Sequence, residues 1–226
     1  MANYKEIIPF ILRAEGGLSK AKTDAASVDP VPDGKGFHTN KGITWTTLKQ
    51  FRSKLGVSEK TLVSIFYAMP EHVWAMVFKL GYWDAVKGDK IKSQAIADTL
   101  VDWAWASGAT TAIRKLQQFL RLPINSRMDS LTLQRLNTLS DEAAFLKSFS
   151  DFKKQWYLTL PRQSANYKGW AKRLDDLYAS VKTKVVENKT NIALAMTGVV
   201  ATGIVLYLVF GKKKVENGKS TFKQAA

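Results

Sequence analysis

The sequence predicts a mostly α-helical protein with one membrane-spanning helix near its C-terminus. Apolar residues recur at the three- and four-residue spacing of a helix along most of the 226 residues. Residues 192–210 form a run of 19 residues with no charge and no proline. At about 1.5 Å per residue, this run nearly crosses a hydrocarbon core about 30 Å thick. The composition, 46% hydrophobic and 23% charged, excludes an intrinsically disordered chain.

The first predicted helix ends at two glycines. Its apolar face consists of Ile7, Ile8, Ile11 and Ala14. Pro9 bends this helix or delays its start, because proline lacks the N–H that a helix interior needs. Gly16-Gly17 is typical of a helix end, since glycine accepts the left-handed conformation found there. Residues 18–42 are rich in turn-forming residues and are predicted to form a loop.

Further helices are predicted through the middle of the chain, near residues 44–54, 58–68 and 70–80. Three serines are candidate N-caps of later helices, because a serine hydroxyl accepts a hydrogen bond from the first N–H groups of a helix: Ser93, Ser130 and Ser140. An apolar stripe over residues 170–185 then runs towards the apolar segment. The sequence thus predicts helices nearly throughout.

The apolar segment has lysines on both sides. We expect a basic juxtamembrane helix over residues 181–191, the spanning helix over 192–210 and a polar tail over 211–226. The lysine triplet at residues 212–214 favours a cytoplasmic C-terminus. Small residues at four-residue spacing inside the span indicate possible self-association of the helix. No signal peptide is expected, because the apolar run before Arg13 is too short.

The charge of the chain calls for an anionic partner. The net charge is +15, and residues 1–188 hold 28 basic and 18 acidic residues, a net charge of +10. Nucleic acid, anionic lipid and the acidic polymers of a bacterial wall all fit such a surface. The chain has no cysteine and two histidines, which excludes disulfides and a histidine-rich metal cluster. We therefore expect no metal and no cofactor.

Glu15 is the first residue to consider for chemistry. It stands at the C-terminal end of the first predicted helix, where the helix dipole is negative and favours a protonated carboxyl. A general acid needs that proton. The two glycines after it leave room for a bulky ligand. The alternative is an ordinary solvated glutamate at a helix end.

A second group of polar residues lies in the predicted loop. Asp33 and Thr39 stand six positions apart across glycines. A carboxylate and a hydroxyl held together can orient a water molecule, and inverting sugar hydrolysis needs such a water opposite an acid. Each residue taken alone also fits an ordinary turn.

These segments together resemble glycoside hydrolase family 108, the N-acetylmuramidases of phages and bacterial secretion loci. The resemblance covers residues 4–180. It rests on the following segments: Pro9 to Gly17 with Glu15-Gly-Gly, Asp33 with Thr39 and Gly42-Ile-Thr, Tyr82-Trp-Asp84, Ala97-Asp98 with Asp102 and Ser107-Gly108, Ala112 with Leu116-Gln117, and Gly169-Trp170 with Arg173. It implies a lysozyme-like helical domain over residues 1–80, followed by a helical peptidoglycan-binding region over residues 81–180.

The resemblance also implies roles for individual residues. Glu15 corresponds to the family's catalytic acid, and Asp33 and Thr39 to the residues that position water. The gap from Glu15 to Thr39 is longer here than in the family, and the insertion contains two further aspartates. We therefore rank the candidates for the second carboxylate as Asp33 first, Asp29 next and Asp24 third.

Aromatic and polar residues near these segments are candidates for sugar binding, because sugar rings stack on aromatic faces. The candidates are Trp45, Tyr82, Trp83, His38 and Asn40. Trp103, Trp105, Trp156 and Trp170 lie on helical stripes and are interpreted as packing residues. Core packing is the alternative for every aromatic candidate.

The resemblance predicts a muramidase whose partner is bacterial peptidoglycan, and the apolar segment predicts that it is anchored in a membrane. The enzyme would sit in the bacterial inner membrane with its catalytic domain facing the periplasm. One alternative is a non-catalytic peptidoglycan-binding component of a phage or secretion particle. Another is a membrane-tethered nucleic-acid binder, although no specific nucleic-acid motif accompanies the positive charge.

Overall fold

The structure is a computed structural model that describes residues 1–160 and 166–185. The chain divides into two compact units, Met1–Lys182 and Thr183–Ala226. The core and the site described below lie in the first unit. The predicted spanning helix over residues 192–210 lies outside the described residues, as do its polar tail and most of its juxtamembrane flank.

Helices make up most of the first unit, so the mostly helical fold class is confirmed. In chain order they are α1 (Ile8–Ala14), α2 (Trp45–Gln50), α3 (Arg52–Leu55), α4 (Glu59–Ala68), α5 (Glu71–Phe78), α6 (Gln94–Ser107), α7 (Ala109–Phe119), α8 (Ser130–Asn137), α9 (Glu142–Tyr157) and α10 (residues 166–185). Short 3-10 helices cover Tyr4–Glu6, Ala25–Val28 and Gly88–Lys90, and a π-helix covers Lys79–Trp83.

None of the helices in residues 1–160 and 166–185 is both long enough and apolar enough to cross a membrane by itself. Together, α4 and the segment Glu71–Trp83 reach the length and composition of a span, with a bend of 99° between them.

The helix starts show how the capping predictions fared. The Ser93 hydroxyl caps α6 as predicted, accepting a backbone N–H at 3.2 Å. α8 and α9 begin near the predicted serines, but their caps are Asp129 and Asp141. Each aspartate stands beside the serine in the sequence, and its carboxylate accepts the N–H group that a cap must satisfy. Ser130 and Ser140 are therefore not the caps.

A β-hairpin lies where the sequence predicted the end of a loop and the start of a helix. β1 (Thr39–Asn40) pairs antiparallel with β2 (Ile43–Thr44), in a register that places Thr39 opposite Thr44. The connecting residues Lys41-Gly42 both have positive φ, 46° and 77°. Such a two-residue turn matches the twist of the paired strands. Two-residue strands are too short to show an alternating pattern, which is why sequence patterns did not predict them.

The core is organised around α6. Every residue from Ala95 to Trp105 is buried, and a helix that is covered on all sides lies at the centre of its domain. Trp103 of α6 packs on Phe149 and Trp156 of α9, with ring centroids 5.1 and 5.3 Å apart. Side chains on α6 are therefore fixed in place by packing, and two of them reach the site.

One buried amide fastens the hairpin to α4. The Nδ2 group of Asn40 donates to the backbone oxygens of Phe66 and Tyr67, at 2.7 and 3.2 Å. Only 4% of Asn40 is exposed. Because a buried carbonyl that loses its donor is not compensated by water, this amide holds the hairpin at the end of α4.

We expect Asn40→Ala to lower the free energy of unfolding by roughly 1–3 kcal/mol, since two buried carbonyls lose their donor. Urea denaturation followed by circular dichroism measures this change. Asn137→Ala is the matched control, because Asn137 makes its hydrogen bonds at the surface, where water replaces a lost partner. An equal loss in both variants would contradict the anchoring role of Asn40.

Candidate active site

The backbone of Glu15 ends α1. Pro9 lies in the first turn of this helix, where a missing N–H breaks no hydrogen bond, so proline delays the start as predicted. Glu15 is extended, with φ −93° and ψ 142°, and its N–H bonds to the Ile11 oxygen at 3.1 Å. Neither Gly16 nor Gly17 is left-handed, so Glu15 itself terminates the helix. Open space surrounds both glycines, as the sequence analysis expected.

The two oxygens of the Glu15 carboxyl have different surroundings. Oε1 accepts hydrogen bonds from Nε1 of Trp105 and Nη1 of Arg173, each at 2.8 Å. Oε2 faces the hairpin turn, so close that a Cβ added to Gly42 would lie 2.6 Å from it. The side chain is 18% exposed. One oxygen is therefore fixed by two donors, and the other lies against a glycine.

Arg173 connects Glu15 to a buried ion pair. Its Nε and Nη2 groups donate to Oδ1 of Asp102 at 3.0 and 2.9 Å. The other oxygen of Asp102 accepts from Nζ of Lys153 at 2.8 Å. Asp102 and Lys153 are each 1% exposed. The buried Asp102 carboxylate is thus paired with two cations, which is what its burial requires.

The cations keep Asp102 ionised. Burial alone would raise the pKa of the Asp102 carboxyl, but Lys153 and Arg173 outweigh burial and hold the pKa below its usual value. Burial likewise opposes the charge on Arg173, yet the carboxylates of Asp102 and Glu15 raise the pKa of the guanidinium above its ordinary value. Both groups are therefore charged at neutral pH.

An aromatic cluster packs around Trp105, one of the two residues that donate to Glu15. The Trp105 ring contacts Trp74, Phe78 and Tyr82, with centroids 5.3, 5.6 and 4.8 Å away. The Nε1 group of Trp74 donates to the Lys41 oxygen in the hairpin turn at 2.9 Å. The cluster thus joins the turn beside Oε2 to the indole that holds Oε1.

A groove of about 640 Å³ runs between α1 and α10. Its wall includes Phe10, Arg13, Trp170, Lys172, Arg173 and Asp176. Cations outnumber carboxylates there, and Arg173 connects the groove to Glu15. An anionic or aromatic-stacking ligand suits this surface.

The family comparison covers the residues that build this site. The family model for glycosyl hydrolase 108 matches residues 8–108, which contain Glu15, the hairpin and Trp105. The chain carries a glycosyl hydrolase 108 domain. The predicted resemblance is confirmed, and the chain is a glycoside hydrolase.

A solved structure, that of Brucella abortus SagA, has a similar fold. The TM-score is 0.64 at 21% sequence identity, and the match covers 79% of this chain and 93% of that chain. No curated protein matches the sequence. The likeness to SagA extends well past residue 108, so the fold continues beyond the stretch that matches the family model.

Thr39 begins the hairpin of the glycosyl hydrolase 108 domain, and His38 lies beneath it. His38 is 1% exposed, which corrects the expectation that it faces a cleft. Its Nε2 lies 3.3 Å from the Ala21 oxygen, and its Nδ1 lies 2.9 Å from Oγ1 of Thr39. A carbonyl only accepts, so Nε2 carries the hydrogen and the Nδ1 of a neutral ring accepts from the Thr39 hydroxyl. The Thr39 oxygen is then left to accept.

The three aspartates of the loop have different partners. Asp33 accepts the Tyr67 hydroxyl at 2.6 Å, and this bond lowers the pKa of the carboxyl. Asp29 is bound by Lys49, which lowers its pKa too. Asp24 caps the 3-10 helix that follows it. In residues 1–160 and 166–185, His, Asp and Glu side chains form no group of three suited to a metal ion.

The predicted sugar-binding aromatics divide into core and site. Trp45 and Trp83 are 1% and 0% exposed, so their faces pack inside the protein and do not face a ligand. Asn40, in strand β1 of the hairpin, is buried in the same way. Tyr82 lies on Trp105, and burial raises the pKa of its phenol, with the charge of Glu15 acting in the same direction. Tyr82 is therefore the aromatic candidate that the structure brings to Glu15.

Sequence reasoning missed two of the groups that hold Glu15. Trp105 was interpreted as a packing residue, and it does pack, but its indole N–H also binds the carboxyl. Arg173 belonged to a motif of the resemblance without an assigned role. The available signal for Trp105 was its spacing. It stands three residues after the buried Asp102 on α6, and residues at this spacing lie on the same face of a helix.

We expect Gly42→Ala to abolish glycosidase activity, because the new Cβ would displace Oε2 of Glu15. Gly56→Ala is the matched control: Gly56 has φ +64° but open space around it. Both variants should lose about 1–2 kcal/mol of stability from the strained backbone. Thermal unfolding and activity assays measure the two effects. Full activity in a folded Gly42→Ala variant would contradict the close approach of the turn to Glu15.

Proposed function

We propose that this protein hydrolyses the β-1,4 bond between N-acetylmuramic acid and N-acetylglucosamine in bacterial peptidoglycan. The observation that supports this most is the Glu15 carboxyl, which ends α1 inside a glycosyl hydrolase 108 domain, with Oε1 held by two donors and Oε2 facing the hairpin turn. The proposed catalytic residues are Glu15, Asp33 and Thr39.

Glu15 acts as the general acid in this proposal. Since both donors bind Oε1, the proton to be transferred sits on Oε2. It passes to the glycosidic oxygen as the bond from that oxygen to the anomeric carbon of the muramic acid breaks. The sugar leaving group departs as an alcohol, and Glu15 is left as a carboxylate.

Thr39 and Asp33 direct the water that completes the hydrolysis. The Thr39 oxygen accepts one hydrogen of the water, because its own hydrogen is given to His38. Asp33 is ionised and takes the proton that the water loses as its oxygen bonds to the anomeric carbon. All three loop aspartates have partners, Asp33 in Tyr67, Asp29 in Lys49 and Asp24 in the helix it caps, so the preference for Asp33 rests on the family resemblance.

The basic surface supports peptidoglycan as the substrate. Peptide stems of the wall carry carboxylates, and the groove beside α1 presents Arg13 and Lys172 towards such groups. The residues named there do not form a basic stripe with interleaved aromatics, so nucleic acid is not favoured. A non-catalytic wall-binding role in a phage or secretion particle is the second candidate, and it leaves the Glu15 arrangement without a use.

Membrane anchoring is a proposal that rests on residues 192–210. Their uncharged, proline-free run supports a spanning helix that tethers the enzyme to the bacterial inner membrane, with residues 1–182 facing the periplasm. Small residues at positions 197, 198, 201 and 202 support self-association of that helix or assembly into a larger particle.

Activity loss in Glu15→Gln tests the proposed chemistry. The full chain is incubated with purified peptidoglycan, and mass spectrometry detects reducing-end muramic acid. We expect the variant to lose at least about 100-fold in rate, the usual contribution of a general acid. Glu6→Gln, at an exposed position just before α1, is the control and should keep full activity. Equal rates for wild type and Glu15→Gln would contradict the assignment.

The anchor has its own test. After expression in bacteria, we expect the full chain to stay in membranes washed with alkaline carbonate, and a chain that ends at residue 188 to be released. A full chain that is released by the wash would contradict a spanning helix.

A further inference from the structure

Arg173 touches the proposed acid although it lies 65 residues beyond the end of the family match. We propose that Arg173 is a positioning residue for the hydrolysis: it fixes Oε1 of Glu15 so that Oε2 presents the proton to the substrate. This inference rests on the proposed function, and it gives α10 a part in catalysis in addition to wall binding.

The guanidinium is suited to this task by its shape. It is planar and presents its N–H groups in a rigid fork. Nε and Nη2 take one oxygen of Asp102, and Nη1 points to Oε1 of Glu15. Because the fork is rigid, the position of Asp102 decides where Nη1 lies. A lysine has a single ammonium and cannot reproduce three bonds in this geometry.

Asp102 is itself held from the opposite side. Lys153 binds its other oxygen and lies over the rings of Trp103 and Tyr157, 5.4 and 5.8 Å from their centroids. Asp102 stands on α6, the fully buried helix. The position of the Arg173 guanidinium is therefore fixed by the centre of the core, through Asp102, and not by the surface of α10.

Trp105 completes the arrangement from the same helix. Asp102 and Trp105 stand three positions apart on α6, so one rigid element supplies the direct donor to Oε1 and the anchor of the second donor. Two donors that approach Oε1 from different elements restrict the rotation of the carboxyl. Such restriction matters because a displacement of about 1 Å in a catalytic group can cost on the order of 100-fold in rate.

A purely structural role for Arg173 makes different predictions. It would require only that some cation neutralise Asp102, and Lys153 already does so in part. It would affect folding and leave the rate of the folded fraction unchanged.

The test compares Arg173→Gln and Arg173→Lys with wild type in the full chain, using soluble peptidoglycan fragments of defined length. Lys147→Gln is the matched control, because Lys147 lies outside the groove, is exposed and pairs with Asp151 on its own helix, α9. Thermal unfolding determines the folded fraction of each variant. Arg173→Lys keeps a cation beside Asp102, so it remains informative if Arg173→Gln does not fold.

We expect both Arg173 variants to lose on the order of 100-fold in kcat with KM within about twofold of wild type. Added guanidinium should restore part of the lost rate in Arg173→Gly. Lys147→Gln should match wild type.

The outcomes that overturn the inference are distinct from failure of the proposed function. Full kcat in folded Arg173→Lys, or a loss confined to KM, shows that Arg173 does not position the acid, while the muramidase function stands. A wild-type chain that fails to release reducing-end muramic acid overturns the proposed function, and the inference falls with it.

Discussion

The buried carboxylate of Asp102 is the constraint on which the rest of the first unit depends. It stands on the central helix at 1% exposure and is matched there by Lys153 from α9 and Arg173 from α10. Loss of one partner from a buried pair typically costs about 3–5 kcal/mol, because the remaining charge stays uncompensated. Helices far apart in the sequence are thus brought to α6 by charge as well as by apolar packing. Glu15 is the fourth member of this cluster, and it and Arg173 are the two that reach solvent.

The hairpin sets the other side of the carboxyl. Its two-residue turn needs positive φ at Lys41 and Gly42, and glycine is also the residue that leaves space for Oε2 of Glu15. Two hydrogen bonds hold the turn. The Asn40 amide donates to the backbone of α4, and the Trp74 indole donates to the Lys41 oxygen. One feature of local geometry therefore serves both the fold and the proposed proton transfer.

Local patterns in the sequence predicted the structural features that depend on residues close together in the chain. The helix face ending at Glu15, the cap at Ser93 and the helical spacing through the core all follow from contacts within a few positions. The ion pair of Glu15 with Arg173 joins residues 158 positions apart, and no local pattern encodes it. Trp105 shows the same limit, since its packing role is visible in the helical stripe but its hydrogen bond is not.

Some residues indicated a contact in the sequence without identifying the residue that completes it. Lys153 interrupts the apolar face that includes Phe149 and Tyr157 on α9, and a lysine at a buried helical position has to meet a carboxylate. That observation predicts a buried ion pair without saying which acid completes it. The burial of Trp45 and His38 was likewise undecided, because an aromatic or imidazole near a functional loop fits both the core and a cleft.

The most direct test of the account is a crystal structure of the Glu15→Gln variant bound to a peptidoglycan fragment. The account predicts that the glycosidic oxygen lies within hydrogen-bond distance of the side-chain atom at position 15 that faces Gly42, with Trp105 and Arg173 still around the other atom. A fragment bound away from this side chain, or one whose glycosidic oxygen bonds to the atom held by Trp105 and Arg173, would contradict the assignment of the proton to Oε2.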